Sequence, residues 1–235
     1  MKTSHSLAVT GFALIAVSYG LARFSWGLML PAVSQDVPFS PRLAGVLSAC
    51  SFAAYCLSVA LASRLCTRYG ARLTGVISVL CAAAGLLLLA VAASPWLLAA
   101  GLLIAGFSAG LSSPSLAAAV SQAIAAQRQT QVNTIINAGT GAGIILSVPL
   151  LLFLPWRTAC VLFAVIALLT LLPVWRYLPS AAMKQVDPSS KTSMFNRKVV
   201  RLAIIAFISG MASAAWWSFG PEVLRQHAKV ANTLI

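Results

Sequence analysis

The sequence predicts an all-α integral membrane protein, a bundle of membrane-spanning helices. Three observations carry that expectation. Hydrophobic residues make up 60% of the 235-residue chain and charged residues only 8%, against about 25% charged in a soluble domain. Such a chain cannot cover a globular surface with polar groups. Its apolar runs recur along nearly the whole length, which excludes a secretory leader followed by a soluble body. Lysine and arginine outnumber aspartate and glutamate 16 to 3, and they collect between the apolar runs, as they do in the cytoplasmic loops of membrane proteins. In a soluble protein that excess would point to nucleic acid. No aromatic-plus-basic patch supports such a partner here; the expected partner is the lipid bilayer.

About 20 apolar residues cross a hydrocarbon core of about 30 Å, and a lipid-exposed segment must satisfy its backbone groups internally, hence as a helix. Spans are expected near 8–32, 43–63, 74–93, 96–119, 134–154, 158–175 and 202–220. The first reads TGFALIAVSYGLARFSWGLMLPAV and holds one arginine, Arg23. The second and third flank a basic stretch, SRLCTRYGAR, and the third and fifth end in the short connections SPW and LPW. The fourth carries a stripe of small residues (Gly101, Ala105, Ser108, Ser112 and Ser115) suited to close helix packing, with Ser113 and Pro114 marking a bend. The fifth is glycine-rich, NAGTGAGIILSVP from Asn137 to Pro149. After the sixth, residues 176–201 turn polar and basic, with Pro179 and Pro188, and read as a linker. The seventh ends near Trp216 and Trp217, placed for an interfacial aromatic belt or for ligand stacking.

The organisation is therefore 1–175, a bundle of six spans; 176–201, the linker; and 202–235, carrying one further span. Eleven basic residues fall on the side of Lys2, the 64–72 stretch, Arg128 and the linker, and four (Arg42, Arg157, Arg225 and Lys229) on the other. The positive-inside rule then places the N-terminus in the cytoplasm. The five cysteines form no CxxC pair and read as packing residues; neither a metal site nor a cofactor is expected.

Arg23 lies close to mid-bilayer, where an arginine costs about 2.5–3.5 kcal/mol on insertion scales. At 100° per residue, Ala16, Tyr19, Gly20, Arg23, Trp26, Gly27 and Leu30 share one face. The acids Asp36, Asp187 and Glu222 lie in loops or at span ends, so none is placed to pair with Arg23 mid-span. A buried cation without a carboxylate favours an anionic ligand. Arg23 is the expected contact, with Tyr19 and Trp26 shaping the pocket and Asn137 and Thr140 as polar contacts from the fifth span. Snorkelling to the interface, or an ion pair with further sequence, are the alternatives for Arg23; for Asn137, a bond to a neighbouring helix is.

Six spans, a basic inner linker and a restarting span resemble the N-terminal half of a major facilitator superfamily transporter. SRLCTRYGAR resembles the family's loop G-x-x-x-D-R-x-G-R-[RK]: Arg68, Gly70 and Arg72 match, while Ser63, Thr67 and Ala71 depart from it. The resemblance implies that Arg68, Gly70 and Arg72 form a cytoplasmic gate loop, without the charge an aspartate would supply at Thr67. Gly106 matches the first glycine of the fourth span's R-x-x-x-G-x-G, but Leu102 and Ser108 do not match. Gly139 and Gly143 fit the spacing of the antiporter signature, with Ile144 in place of its proline. YGLARFSWGLMLP is most similar to the YbfB/YjiJ-like bacterial permeases. These likenesses imply a multi-pass protein of the bacterial cell inner membrane, a permease moving a small-molecule solute, its expected partner beside the bilayer, by secondary transport, with export slightly favoured by the fifth span. The resemblance also implies that 202–235 carries the first helix of an incomplete C-terminal bundle. The chain covers little more than half of such a transporter, so a missing C-terminal half is an expected partner and a truncation an expected origin.

An intramembrane enzyme would need a nucleophile–base pair, paired aspartates or a metal site. His5 and His227 are the only histidines, no such motif appears, and the chain is read as no enzyme. Nor does a GxxxxGK[ST] phosphate loop occur. A non-transporting scaffold or sensor, or an inactive transporter fragment, is the rival reading.

Overall fold

The computed structural model describes residues 2–182 and 197–227. All its regular elements are helices: α1 (Lys2–Ile15), a π-helical segment (Ala16–Phe24), α2 (Ser25–Asp36), α3 (Pro41–Ala90), α4 (Pro95–Ala123), α5 (Ala126–Phe153), α6 (Trp156–Leu169), α7 (Leu171–Tyr177) and α8 (Arg197–His227). Six helical stretches among the described residues are long and apolar enough to cross a membrane, as an all-α multi-pass bundle requires. The expected linker contributes its first two residues to α7 and its last five to α8; residues 183–196 and 228–235 lie outside the described residues.

Helix starts follow local chemistry. Ser40 and Ser94 each precede a proline at the first helical position, and their hydroxyls accept from the backbone N–H of Leu43 and Leu97, satisfying donors the helix itself leaves open.

α3 spans 50 residues. Straight, it would run about 75 Å, more than twice the hydrocarbon core. It is broken at Gly70, the one described residue with left-handed backbone (φ 80°). Both arms pack on α4. Gly106 meets Ser51 and Ala54 while Gly110 meets Tyr55 and Ser58, so the first arm runs parallel to α4. Gly85 meets Gly101 and Ala105, and Ser78 donates to the Ser108 carbonyl at 2.8 Å, so the second arm runs antiparallel to it. α3 is thus a hairpin holding two of the predicted spans.

The α4 stripe is buried between these arms: Ala105, Ser108, Ser112 and Ser115 are fully enclosed. Ser112 also accepts a 2.9 Å hydrogen bond from Ser18 of the π segment. α5 crosses α1 and the π segment through glycines. A Cβ on Gly20 would lie 2.5 Å from the Gly143 Cα, and Cβ atoms on Gly139 and Gly143 would overlap the carbonyl oxygens of Phe12 and Ala16. Small residues here let two backbones touch.

At the Asp36 end, the Trp156 indole donates to the Asp36 carboxylate at 2.7 Å, Arg157 stands 3.9 Å from the same oxygen, and the Arg157 guanidinium donates to the Ala90 carbonyl at 3.0 Å. These contacts tie together the ends of α2 and α3 and the start of α6. α8 lies against α2, its Trp217 carbonyl seated over Gly27. Much of its remaining surface, including Ile204, Phe207 and Ile208, is exposed.

Candidate functional site

The first span does not keep α-helical phase. From Ala16 to Phe24 its hydrogen bonds follow the wider π pattern, a departure often found at functional positions. An i→i+5 turn holds more residues than an α turn, so a wheel drawn at 100° per residue goes out of register beyond Tyr19. Phe24 is thereby brought beside Arg23 and Tyr19, and Trp26 is carried elsewhere.

Arg23 is buried, with 8% of its surface exposed. Its guanidinium carbon lies 4.0 Å from the Tyr55 ring centroid, 4.4 Å from Phe52, 5.3 Å from Phe24 and 5.7 Å from Tyr19. Two of these rings come from the first arm of α3, one from the π segment's end and one from its middle. Aromatic faces carry negative quadrupole charge, and a desolvated cation over them gains about 2 kcal/mol. That offsets part of the cost of a buried cation without supplying a carboxylate. Among the described residues the single ion pair is Arg157 with Asp36, and the Arg23 Nε is buried without a hydrogen-bond partner. The Tyr19 hydroxyl donates to the Tyr55 hydroxyl at 3.4 Å, and their rings meet edge-on at 6.0 Å. The result is a cage: a rigid planar cation walled by four rings, its buried Nε–H without a hydrogen-bond partner.

Tyr19 and Arg23 are brought together as their spacing suggested. Trp26 is not part of the cage. It is 3% exposed, its indole donates to Ser48 at 2.9 Å, and it packs with Met29, Leu30 and Leu47. Asn137 is exposed on α5 and Thr140 half-buried; both flank Gly139, where α5 touches the first span. Phe52, Tyr55 and Phe24 are not among the residues expected from sequence. Phe52 and Tyr55 stand three residues apart, hence on one helix face, but nothing local ties that face to a residue some thirty positions earlier.

The Arg68–Arg72 turn has its own contacts. Gly70 supplies the positive φ. A Cβ there would stand 2.5 Å from the Ser180 carbonyl oxygen. The Arg72 backbone N–H donates to the Pro179 carbonyl at 3.0 Å, and its Nε to the Leu178 carbonyl at 2.9 Å. The turn thus grips the segment leaving α7. Arg68 is exposed and stacks on Tyr69 at 5.3 Å. Thr67, at the position of the family's aspartate, donates to the Arg64 carbonyl of its own helix at 3.0 Å. Gly70→Ala is expected to destabilise the chain by about 1–3 kcal/mol, from backbone strain at a positive φ added to the Ser180 overlap. Denaturant titration in detergent reads the change; a loss below about 0.5 kcal/mol would contradict the strained-turn account.

A recess of about 140 Å³ lies beside the cage, lined by Phe24 and Leu28, Ile144 and Val148 of α5, and Trp216, Trp217 and Gly220 of α8. The Phe24 and Trp217 ring centroids are 4.9 Å apart, so Phe24 is a wall common to cage and recess.

The family model described as Major Facilitator Superfamily matches residues 12–233. No curated protein matches the chain.

Proposed function

The chain belongs to the Major Facilitator Superfamily of membrane transporters, and from that premise we propose that it is a secondary transporter of a small solute carrying an anionic group, which Arg23 contacts. The observation that carries the reading is the cage: a buried guanidinium held by rings instead of a carboxylate, its Nε–H uncommitted. An incoming anion completes the charge and takes the free donor, the arrangement that makes charge-assisted hydrogen bonds strong. Tyr19 and Tyr55 place their hydroxyls beside the same cation, and Asn137 and Thr140 stand as further polar contacts from α5. Trp26, committed to Ser48, is read as holding the first span against α3. The basic loops support an N-terminus in the cytoplasm of a bacterial inner membrane. The glycine-rich α5 favours export, and the YGLARFSWGLMLP stretch supports kinship with the YbfB/YjiJ-like permeases.

The test compares an acid with its neutral isostere on the full chain in neutral phosphatidylcholine vesicles. Benzoate is expected to bind at least about tenfold tighter than benzamide, since a hydrogen bond to a charged group contributes about 1.5–3 kcal/mol. Equal affinities would remove the anion from the proposal. Flux of radiolabelled benzoate into the same vesicles separates a transporter from a scaffold that only binds.

A further inference from the structure

We infer that the ligand is an amphipathic organic anion, its charged group at the Arg23 cage and its hydrocarbon or aromatic part in the recess between α2, α5 and α8; this rests on the anion reading above. The juxtaposition of cage and recess carries it. Phe24 closes the cage on one side, 5.3 Å from the guanidinium carbon, and walls the recess on the other, 4.9 Å from Trp217. The recess is lined by aliphatic and aromatic side chains and a glycine, with no ionisable residue. A compact inorganic anion would leave these surfaces unused. A neutral apolar solute would leave the cation uncompensated. A carboxylate bearing a chain of several carbons satisfies both, and the volume of about 140 Å³ holds a short alkyl chain or a single ring.

The same chemistry is carried by soluble acids and by anionic lipids, and the inference commits to the soluble acid. The experiment titrates acetate, butyrate, hexanoate and octanoate, with inorganic phosphate alongside, against the full chain in pure phosphatidylcholine vesicles. Intrinsic tryptophan fluorescence is the readout, since Trp216 and Trp217 line the recess. Affinity is expected to rise about threefold to fourfold per added methylene until the recess fills. In Val148→Trp, which occupies the recess, the dependence on chain length should flatten. Val165→Trp, on an exposed position of α6, should keep it and so controls for acids that merely partition into lipid. An identical slope in Val148→Trp, or phosphate binding as tightly as hexanoate, would overturn the inference while leaving Arg23 as an anion contact. Failure of every anion to bind would overturn both. Fluorescence change appearing only when phosphatidylglycerol is added would assign the site to a lipid headgroup, against the inference.

Discussion

Arg23→Met is expected to lower benzoate affinity about tenfold to a hundredfold while leaving the folded bundle as stable as before, or more so. The two effects have opposite signs for one reason. A buried guanidinium stabilises an anion through a charge-assisted hydrogen bond of about 1.5–3 kcal/mol, and each 1.4 kcal/mol is a factor of about ten. In the unliganded protein the same group costs about 2.5–3.5 kcal/mol at mid-bilayer, offset by the rings of Tyr55 and Phe52 at 4.0 and 4.4 Å. Methionine removes the cost and the cation–π gain together and still fills the cage. Arg23→Lys should not restore binding: an ammonium is a compact, strongly hydrated charge, without the planar face that stacks on rings or the spare Nε–H. Titration of each variant with benzoate, paired with its thermal unfolding midpoint, reads both quantities. A large stability loss in Arg23→Met with unchanged affinity would show that the arginine is a structural member of the core and no ligand contact.

That cage also marks how far the chain is legible from its residues. Span positions are, because mean hydropathy over some 20 residues is a sum that tertiary packing hardly alters: the expected span 96–119 falls within Pro95–Ala123, and 134–154 overlaps Ala126–Phe153. The hairpin in α3 is legible through Gly70, since a basic stretch between two apolar runs needs a turn and only glycine takes φ 80° without strain. The Arg23–Tyr19 pairing is legible from spacing. The remaining walls are not. Phe52 and Tyr55 reach the guanidinium from another helix, and no local pattern encodes which faces of two helices meet. Phe24 joins the cage, and Trp26 leaves it, because the π turns between Ala16 and Phe24 change the phase on which the helical wheel depends. The fifth-span glycines announce close approach by composition; the partner atoms they approach come from the fold alone.

The second large effect lies at that approach. Gly143→Leu is expected to destabilise the bundle by about 3 kcal/mol and to abolish binding of the longer acids, whereas Gly141→Leu, two residues away, should change stability by less than about 0.5 kcal/mol. A Cβ at position 143 meets backbone on two sides, the Ala16 carbonyl oxygen and, at 2.9 Å, the Gly20 Cα. Overpacking costs about 1–3 kcal/mol where side chains can adjust, and backbone cannot rotate aside, so the upper end applies. Relief requires α5 to move away from the first span. Within the membrane no hydrophobic force opposes that separation, because association there rests on close packing itself. The displaced helix carries Ile144 and Val148, two walls of the recess, so stability and tail recognition should fail together. At Gly141 nothing lies within 4 Å of the added Cβ, and leucine is also the better helix former. Equal losses from the two substitutions in a denaturant titration would mean that the Gly20–Gly143 crossing does not set the distance between α5 and the arginine-bearing span.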